Sequence, residues 1–203
     1  MNRHLIAILR GLEPARAVET ARAICAAGIT AIEVPLNSPD ALRSIADIQA
    51  DLGSQALIGA GTVLSEAEVD AVADTGARFI VSPNCMPPVI ARAKARGLGS
   101  YPGVFTPSEC FAALAAGADA LKIFPAGMMG TGGLKALRAV LPPRTRVYAV
   151  GGVGPTDFAA WRAAGADGFG LGTSLFQPDW EIARVDAAAR ASVEAYDAAY
   201  APD

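Results

Sequence analysis

The segment PSECFAALAAGADALKIF, residues 107–124, decides how this chain folds. Pro107 stands where a first-turn proline belongs, because its fixed φ suits a helix start and its missing N–H is not needed there. A helical pattern covers 107–116, and Gly117 follows as the residue able to take the left-handed conformation that ends it. The apolar run 118–124 then reads as a strand. The ending Ala116-Gly117-Ala118 recurs as Ala27-Gly28-Ile29 and Ala164-Gly165-Ala166, so one helix-to-strand turn is used three times. Pro14 and Pro155 repeat the first-turn proline, and Gly28, Gly97 and Gly165 repeat the terminal glycine.

The same unit extends in both directions. Apolar runs at 5–9, 31–34, 56–59, 79–82, 99–102, 118–124, 146–150 and 168–171 predict strands. Helical patterns fall at 14–27, 38–52, 66–76, 86–97, 107–116, 131–141 and 156–165, with a short helix starting near 173 and a longer one over 180–200. Strands that are near-continuously apolar and joined by helices imply a parallel sheet covered by helices. Eight strands with eight crossovers favour a (β/α)8 TIM barrel, as a single domain over residues 1–203. An open doubly wound sheet is the alternative, but no Gly-x-Gly-x-x-Gly follows the first strand and no phosphate-loop motif occurs. The first strand begins so near residue 1 that little remains for an N-terminal helix closing the barrel bottom, which leaves that task to the C-terminal helix.

Composition narrows the function. Of 203 residues, 52% are hydrophobic and 18% charged, which suits a compact α/β protein. The net charge of −3 argues against a nucleic-acid surface, while a local site can still be positive. The apolar run at 5–9 is too short for a signal segment or a membrane span, so a cytoplasmic protein without membrane contact is expected. Cys25, Cys85 and Cys110 lack metal spacing and read as reduced, small hydrophobes; a nucleophilic thiol is the alternative reading. His4 is the single histidine, which argues against a Ser-His-Asp triad and a multi-histidine metal site. No metal or other cofactor is expected.

In a barrel, functional groups come from the C-terminal ends of the strands. The polar residues there are Arg10, Glu33, Thr62, Ser82 with Pro83 and Asn84, Lys122, and the glycine-bearing loops Gly151-Gly152 and Gly172-Thr173-Ser174. Lys122 stands out. The chain has three lysines against fourteen arginines, and Lys94 and Lys135 fall in helical patterns as solvent-facing residues. Strand alternation puts Ala120, Lys122 and Phe124 on one face and Leu121 and Ile123 on the other. The outward face packs on helices and needs Leu and Ile, so Lys122 points into the barrel. Such an ammonium must pair or lose its proton. An ion pair is one reading; a free amine that attacks a carbonyl is the other. Alternation also turns Ala31 and Glu33 inward, where Glu33 serves either as a proton carrier or as a partner for Lys122 or Arg10. Arg10 offers a planar fork to a carboxylate. Thr62 reads as an anion binder or a capping threonine. The glycine pairs after strands seven and eight occupy the usual phosphate site of this fold, or are tight turns.

These residues carry a resemblance. Ile6-Ala7-Ile8-Leu9-Arg10-Gly11, Ile32-Glu33-Val34-Pro35-Leu36-Asn37-Ser38-Pro39, Ile58-Gly59-Ala60-Gly61-Thr62-Val63-Leu64, Ser82-Pro83-Asn84, Leu121-Lys122-Ile123-Phe124-Pro125-Ala126 and Ala149-Val150-Gly151-Gly152-Val153 span nearly the whole chain. In that order they closely resemble the family of 2-keto-3-deoxy-6-phosphogluconate and 2-keto-3-deoxy-6-phosphogalactonate aldolases. The resemblance implies a barrel, a homotrimer and no metal. It makes Lys122 the Schiff-base residue and Glu33 the general acid/base. Arg10 and Thr62 hold the keto-acid end, and Pro83 is a further substrate-binding position. Phe124 walls the pyruvate pocket, and Gly151, Gly152, Gly172, Thr173 and Ser174 hold a phosphate. The substrate implied is a phosphorylated 2-keto-3-deoxy sugar acid.

Pro35-Leu36-Asn37-Ser38-Pro39 resembles the galactonate branch, where gluconate-type relatives commonly carry Thr-Leu-Arg. Val150 stands where those relatives tend to have threonine, whose hydroxyl could bond one C4 configuration. The gluconate epimer is the nearest competing substrate. A phosphosugar isomerase and a non-catalytic phospho-ligand-binding barrel are the competing classes.

Overall fold

The computed structural model describes residues 3–201. The strands are β1 (Leu5–Ile8), β2 (Ala31–Pro35), β3 (Leu57–Gly61), β4 (Phe79–Val81), β5 (Gly99–Tyr101 and Gly103–Val104), β6 (Leu121–Ile123), β7 (Val147–Val150) and β8 (Gly168–Leu171). Alternating with them are α1 (Pro14–Ala27), α2 (Ala41–Leu52), α3 (Glu66–Asp74), α4 (Pro87–Ala95), α5 (Pro107–Ala115), α6 (Ala126–Arg138), α7 (Phe158–Ala163) and α8 (Ile182–Tyr200).

All adjacent strands are parallel, in the order β5-β4-β3-β2-β1-β8-β7-β6-β5. The ring closes at β5, which is split because Pro102 has no N–H to give the ladder. Its first half pairs with β4 and its second half with β6, and the carbonyl of Pro102 itself accepts from Lys122 N at 2.9 Å. The expected eight-stranded (β/α)8 barrel is therefore present.

Two apolar layers result from the alternation. Leu5, Ala7, Ile32, Val34, Ile58, Ala60, Ile80, Leu121, Ile123, Val147, Ala149, Phe169 and Leu171 face outward and pack against the helices. Ile6, Ile8, Phe79, Val81, Ala120, Tyr148 and Val150 fill the barrel, with Ala31, Tyr101 and Phe124 against them. Two strands give almost nothing to the interior. A Cβ at Gly59 would stand 2.6 Å from the Phe79 ring, and one at Gly168 2.6 Å from the Tyr148 ring. Their neighbours' large side chains occupy that space, the large-beside-small pairing that fills small barrels.

The helices bury one stripe each. In α1 it is Ala17, Thr20, Ala21, Ile24 and Ala27, and in α2 Ala41, Ser44, Ile45, Ile48 and Leu52, spaced at three and four residues. Ser65 with Glu68 and Thr106 with Glu109 form capping boxes that fix where α3 and α5 begin. Pro14 and Pro107 open their helices, and Gly28, Gly97, Gly117 and Gly165 take positive φ after theirs, as expected.

Several boundaries differ from the sequence-based expectation. The helix expected over 131–141 starts at Ala126 and ends at Arg138, because Gly130, at φ 70°, lets two helical pieces join across a kink. The pattern at 156–165 becomes a 3-10 turn, Pro155–Asp157, followed by α7. No helix starts near 173. Leu175 N and Phe176 N both bond the Gly172 carbonyl, at 2.9 and 3.0 Å, and a second tight turn, closed by Trp180 N to the Gln177 carbonyl at 3.0 Å, precedes α8.

The barrel floor is closed from inside and below. Phe79, Tyr101 and Tyr148 stack edge to face, and His4 Nδ1 lies 3.1 Å from the Tyr148 hydroxyl. From α8, Tyr196 accepts a bond from His4 N, and Tyr200 donates to the Ala166 carbonyl at 2.6 Å. The C-terminal helix thus serves as expected, together with an aromatic layer. Among the described residues, no helix is long and apolar enough to cross a membrane.

Candidate active site

The C-terminal ends of the strands surround a cleft of about 790 Å³. Its lining includes Arg10, Glu33, Thr62, Lys122, Phe124, Val150, Gly151, Gly152, Gly172, Thr173 and Ser174. Eleven positions singled out in the sequence therefore share one cavity. Pro83 is not among the residues that line it; its carbonyl packs over Gly103, where a Cβ would lie 2.2 Å from it.

Lys122 is 7% exposed and points inward from β6, between outward Leu121 and Ile123. Its Nζ sits 4.6 Å from the centre of the Phe124 ring. Burial holds its pKa below the ordinary lysine value, Glu33 opposes that shift, and the Arg10 charge adds to it. Glu33 is 2% exposed on β2. Burial raises its carboxyl to about 7, against the opposing pull of Lys122 and then Arg10. Oε2 of Glu33 is buried without a hydrogen-bond partner. The ion pairs of 4.0 Å or less among the described residues do not include Lys122 or Glu33. The result is one cavity holding an amine whose neutral form is favoured by burial and a carboxyl raised to about 7.

The space for the carboxylate is made by β3. Gly59 and Gly61 face the interior, and a Cβ on Gly61 would lie 1.6 Å from Glu33 Oε2. Beneath the pair, only about 10 Å³ of free space remains among Ile6, Ile8, Val81, Tyr101, Tyr148 and Gly170, so their open side is the cleft. Gly170 serves Val150 in the same way: a Cβ there would be 2.8 Å from the valine Cγ2.

Arg10 stands exposed at the mouth, and its Nη1 donates to Asn37 Oδ1 at 2.6 Å. Thr62 has φ 57°, a left-handed backbone that costs a non-glycine residue on the order of 1 kcal/mol and occurs mainly at constrained sites. Buried Ser82 helps hold that turn, donating its hydroxyl to the Val63 carbonyl at 2.7 Å. On the opposite rim, Gly151 and Gly152 follow β7 with φ 89° and 73°, and the Gly172–Ser174 turn follows β8. Ser174 Oγ is buried and unpartnered. The sequence had suggested a helix N-terminus here; the site offers a glycine-rich turn and a hydroxyl instead.

Phe176, Gln177 and Pro178 also line the cleft and were not foreseen. They arrive because Arg16, in α1, donates to the Pro178 carbonyl at 2.6 Å and the Trp180 carbonyl at 2.5 Å, drawing the chain over the barrel. The proline at 178 was the only local signal of a turn there.

Fold and site together define a class: barrel enzymes that present a buried lysine amine and a carboxyl to an open cleft at the strand C-termini. A family profile described as "KDPG and KHG aldolase" matches residues 1–190. The chain belongs to the KDPG and KHG aldolase family. It is 50% identical over 200 residues to a probable 2-dehydro-3-deoxy-6-phosphogalactonate aldolase of Rhizobium meliloti (strain 1021), covering 98% of this chain and 94% of the relative. It is 48% identical over 192 residues to 2-dehydro-3-deoxy-6-phosphogalactonate aldolase of Escherichia coli (strain K12), covering 95% and 94%. A solved structure described as native KDPGal superposes with a TM-score of 0.96 at 47% identity, covering 98% of this chain and 97% of that one.

Proposed function

We propose that this protein is a class I aldolase that cleaves 2-dehydro-3-deoxy-6-phospho-D-galactonate to pyruvate and D-glyceraldehyde 3-phosphate, a step of galactonate degradation. The observation that carries the reading is buried, unpaired Lys122 facing Glu33's cavity from the strand end. Galactonate-type relatives at 50% and 48% identity favour this substrate over the gluconate epimer.

In the proposed mechanism, the neutral amine of Lys122 adds to the C2 carbonyl and water leaves as an iminium forms. Burial favours the neutral amine. Glu33, ionised, takes the C4 hydroxyl proton, the C3–C4 bond breaks, and its electron pair enters the iminium as an enamine. The aldehyde leaves. The enamine takes a proton at C3, and water releases pyruvate and restores the amine. A carboxyl near 7 can both accept and return a proton at neutral pH. Arg10 and Thr62 hold the carboxylate end, Phe124 walls the pyruvate portion, and Gly151, Gly152, Gly172, Thr173 and Ser174 receive the phosphate. Val150 faces C4. No metal takes part in this scheme.

The working unit is proposed as one barrel domain over 1–203, acting in the cytoplasm as a homotrimer. Leu64, Met86 and Phe105, in the loops after β3, β4 and β5, and Met128, in the first turn of α6, are each at least 40% exposed, with Met128 at 80%. Large apolar side chains after four successive strands suit a contact between copies. Sedimentation tests the trimer. For the chemistry, pyruvate with borohydride should leave a stable mass increase on the peptide carrying Lys122. An unmodified Lys122 at saturating pyruvate would reject the aldolase.

A further inference from the structure

Arg10 reaches the cleft from a loop whose conformation depends on the neighbouring loop. Ser38, buried at 6%, accepts from Gly11 N at 2.9 Å and donates a long bond, 3.5 Å, to the Leu9 carbonyl. Both residues flanking Arg10 in the chain are therefore tied to Ser38. The adjacent Asn37 takes the side chain, its Oδ1 accepting from Arg10 Nη1 at 2.6 Å. The dipeptide Asn37-Ser38 thus fixes the backbone and the guanidinium of Arg10 together.

The chemistry of the partner matters as much as its position. A guanidinium carries five N–H donors in a rigid fork, and one bond to Asn37 leaves the rest for a ligand. An amide oxygen orients the charge but does not cancel it. A carboxylate would hold the fork equally well and would neutralise it towards an incoming anion. Arg10's charge also acts on Lys122 in the direction that favours the neutral amine.

We propose that Asn37 is a positioning residue for the 2-oxo-acid subsite: a neutral acceptor that aims Arg10 at the ligand carboxylate while leaving its charge intact. The proposal rests on the reading of Arg10 as the carboxylate binder. It gives an exposed loop residue that does not line the cleft a part in binding an anionic substrate.

The test compares Asn37→Ala, Asn37→Asp and, as a control, Arg10→Met. The measurements are KM and kcat for cleavage, half-saturation by pyruvate in borohydride trapping of Lys122 across pH, and melting temperature. Asn37 is on the surface, so all forms should melt as the parent does. N37A should raise the pyruvate half-saturation several-fold and leave kcat within about threefold. N37D should raise it by a further several-fold and shift the trapping profile to higher pH. Parental half-saturation in both variants overturns the proposal if Arg10→Met has lost binding. N37D binding pyruvate as well as N37A also overturns it, because then neutrality plays no part. If Arg10→Met itself binds pyruvate normally, the reading of Arg10 as carboxylate binder has failed, a different result from failure at Asn37.

Discussion

Gly61→Ala should disable catalysis while leaving the barrel and the proposed Schiff-base lysine in working order. The added methyl carbon would start 1.6 Å from Glu33 Oε2, and a real contact needs about 3.0 Å, so the carboxylate must retreat by about 1.4 Å. The obstacle is the end of a rotatable side chain, so β3 need not move and the stability loss should stay near 1 kcal/mol or below. The retreat has few destinations. The space below holds only about 10 Å³, so Glu33 must swing into the cleft, away from where the proton is taken. Misplacing a reacting group by about 1 Å can cost on the order of 10²-fold in rate. We therefore expect kcat for cleavage to fall about a hundredfold. Pyruvate trapping on Lys122 should stay within a few-fold of the parent. The assay is pyruvate release from the phosphorylated sugar acid, run beside borohydride trapping and thermal melting. If Glu33 is the affected group, adding G61A to Glu33→Gln should cost little more. A G61A protein that keeps kcat within threefold refutes the reasoning, as does full additivity in the double variant.

Further outcomes can be measured. Glu33→Gln should remove the acid limb near pH 7 from the kcat/KM profile, since only the carboxylate takes the C4 hydroxyl proton. The same variant tests stability. A carboxyl raised from 4.5 to about 7 contributes stability in full below 4.5 and loses it as pH rises through 7. The parent should therefore lose about 3 kcal/mol relative to E33Q between acid and alkaline pH in denaturant titrations. Lys122→Met should abolish trapping and turnover. It should also stabilise the fold at neutral pH by on the order of 1 kcal/mol, read as a higher melting temperature, because an apolar chain of similar length replaces a buried amine. Val150→Thr should shift the ratio of kcat/KM for the two C4 epimers towards the gluconate form by roughly tenfold or more; an unchanged ratio would remove Val150 from specificity.

Much of this architecture is legible in the chain because it rests on local rules. Pro107, Gly117 and their repeats mark helix ends by backbone geometry that no tertiary contact needs to supply. Lys122 among Leu121 and Ile123 can be assigned to the interior, since alternation has only two faces. The errors arise where local rules lose to neighbours. Pro102 splits β5 without ending it, because its carbonyl still accepts from Lys122 N. The expected helix at 173 stops after one turn, and Arg16 draws the following segment across the barrel mouth. Pro83 follows a strand that ends at the right face, yet it is not among the residues that line the cleft.

By itself the sequence determined the strand and helix order, the barrel, the lysine and carboxylate that face its axis, and the family. Periodicity, turn chemistry and residue scarcity are properties of the chain alone. Only the tertiary structure decided the protonation of the site, since the carboxyl near 7 and the depressed lysine depend on how much water the assembled barrel removes from each. It also decided that Gly61 makes room for Glu33 and that Asn37 holds Arg10. Those contacts join different strands and loops, and no spacing along one chain measures the distance between them.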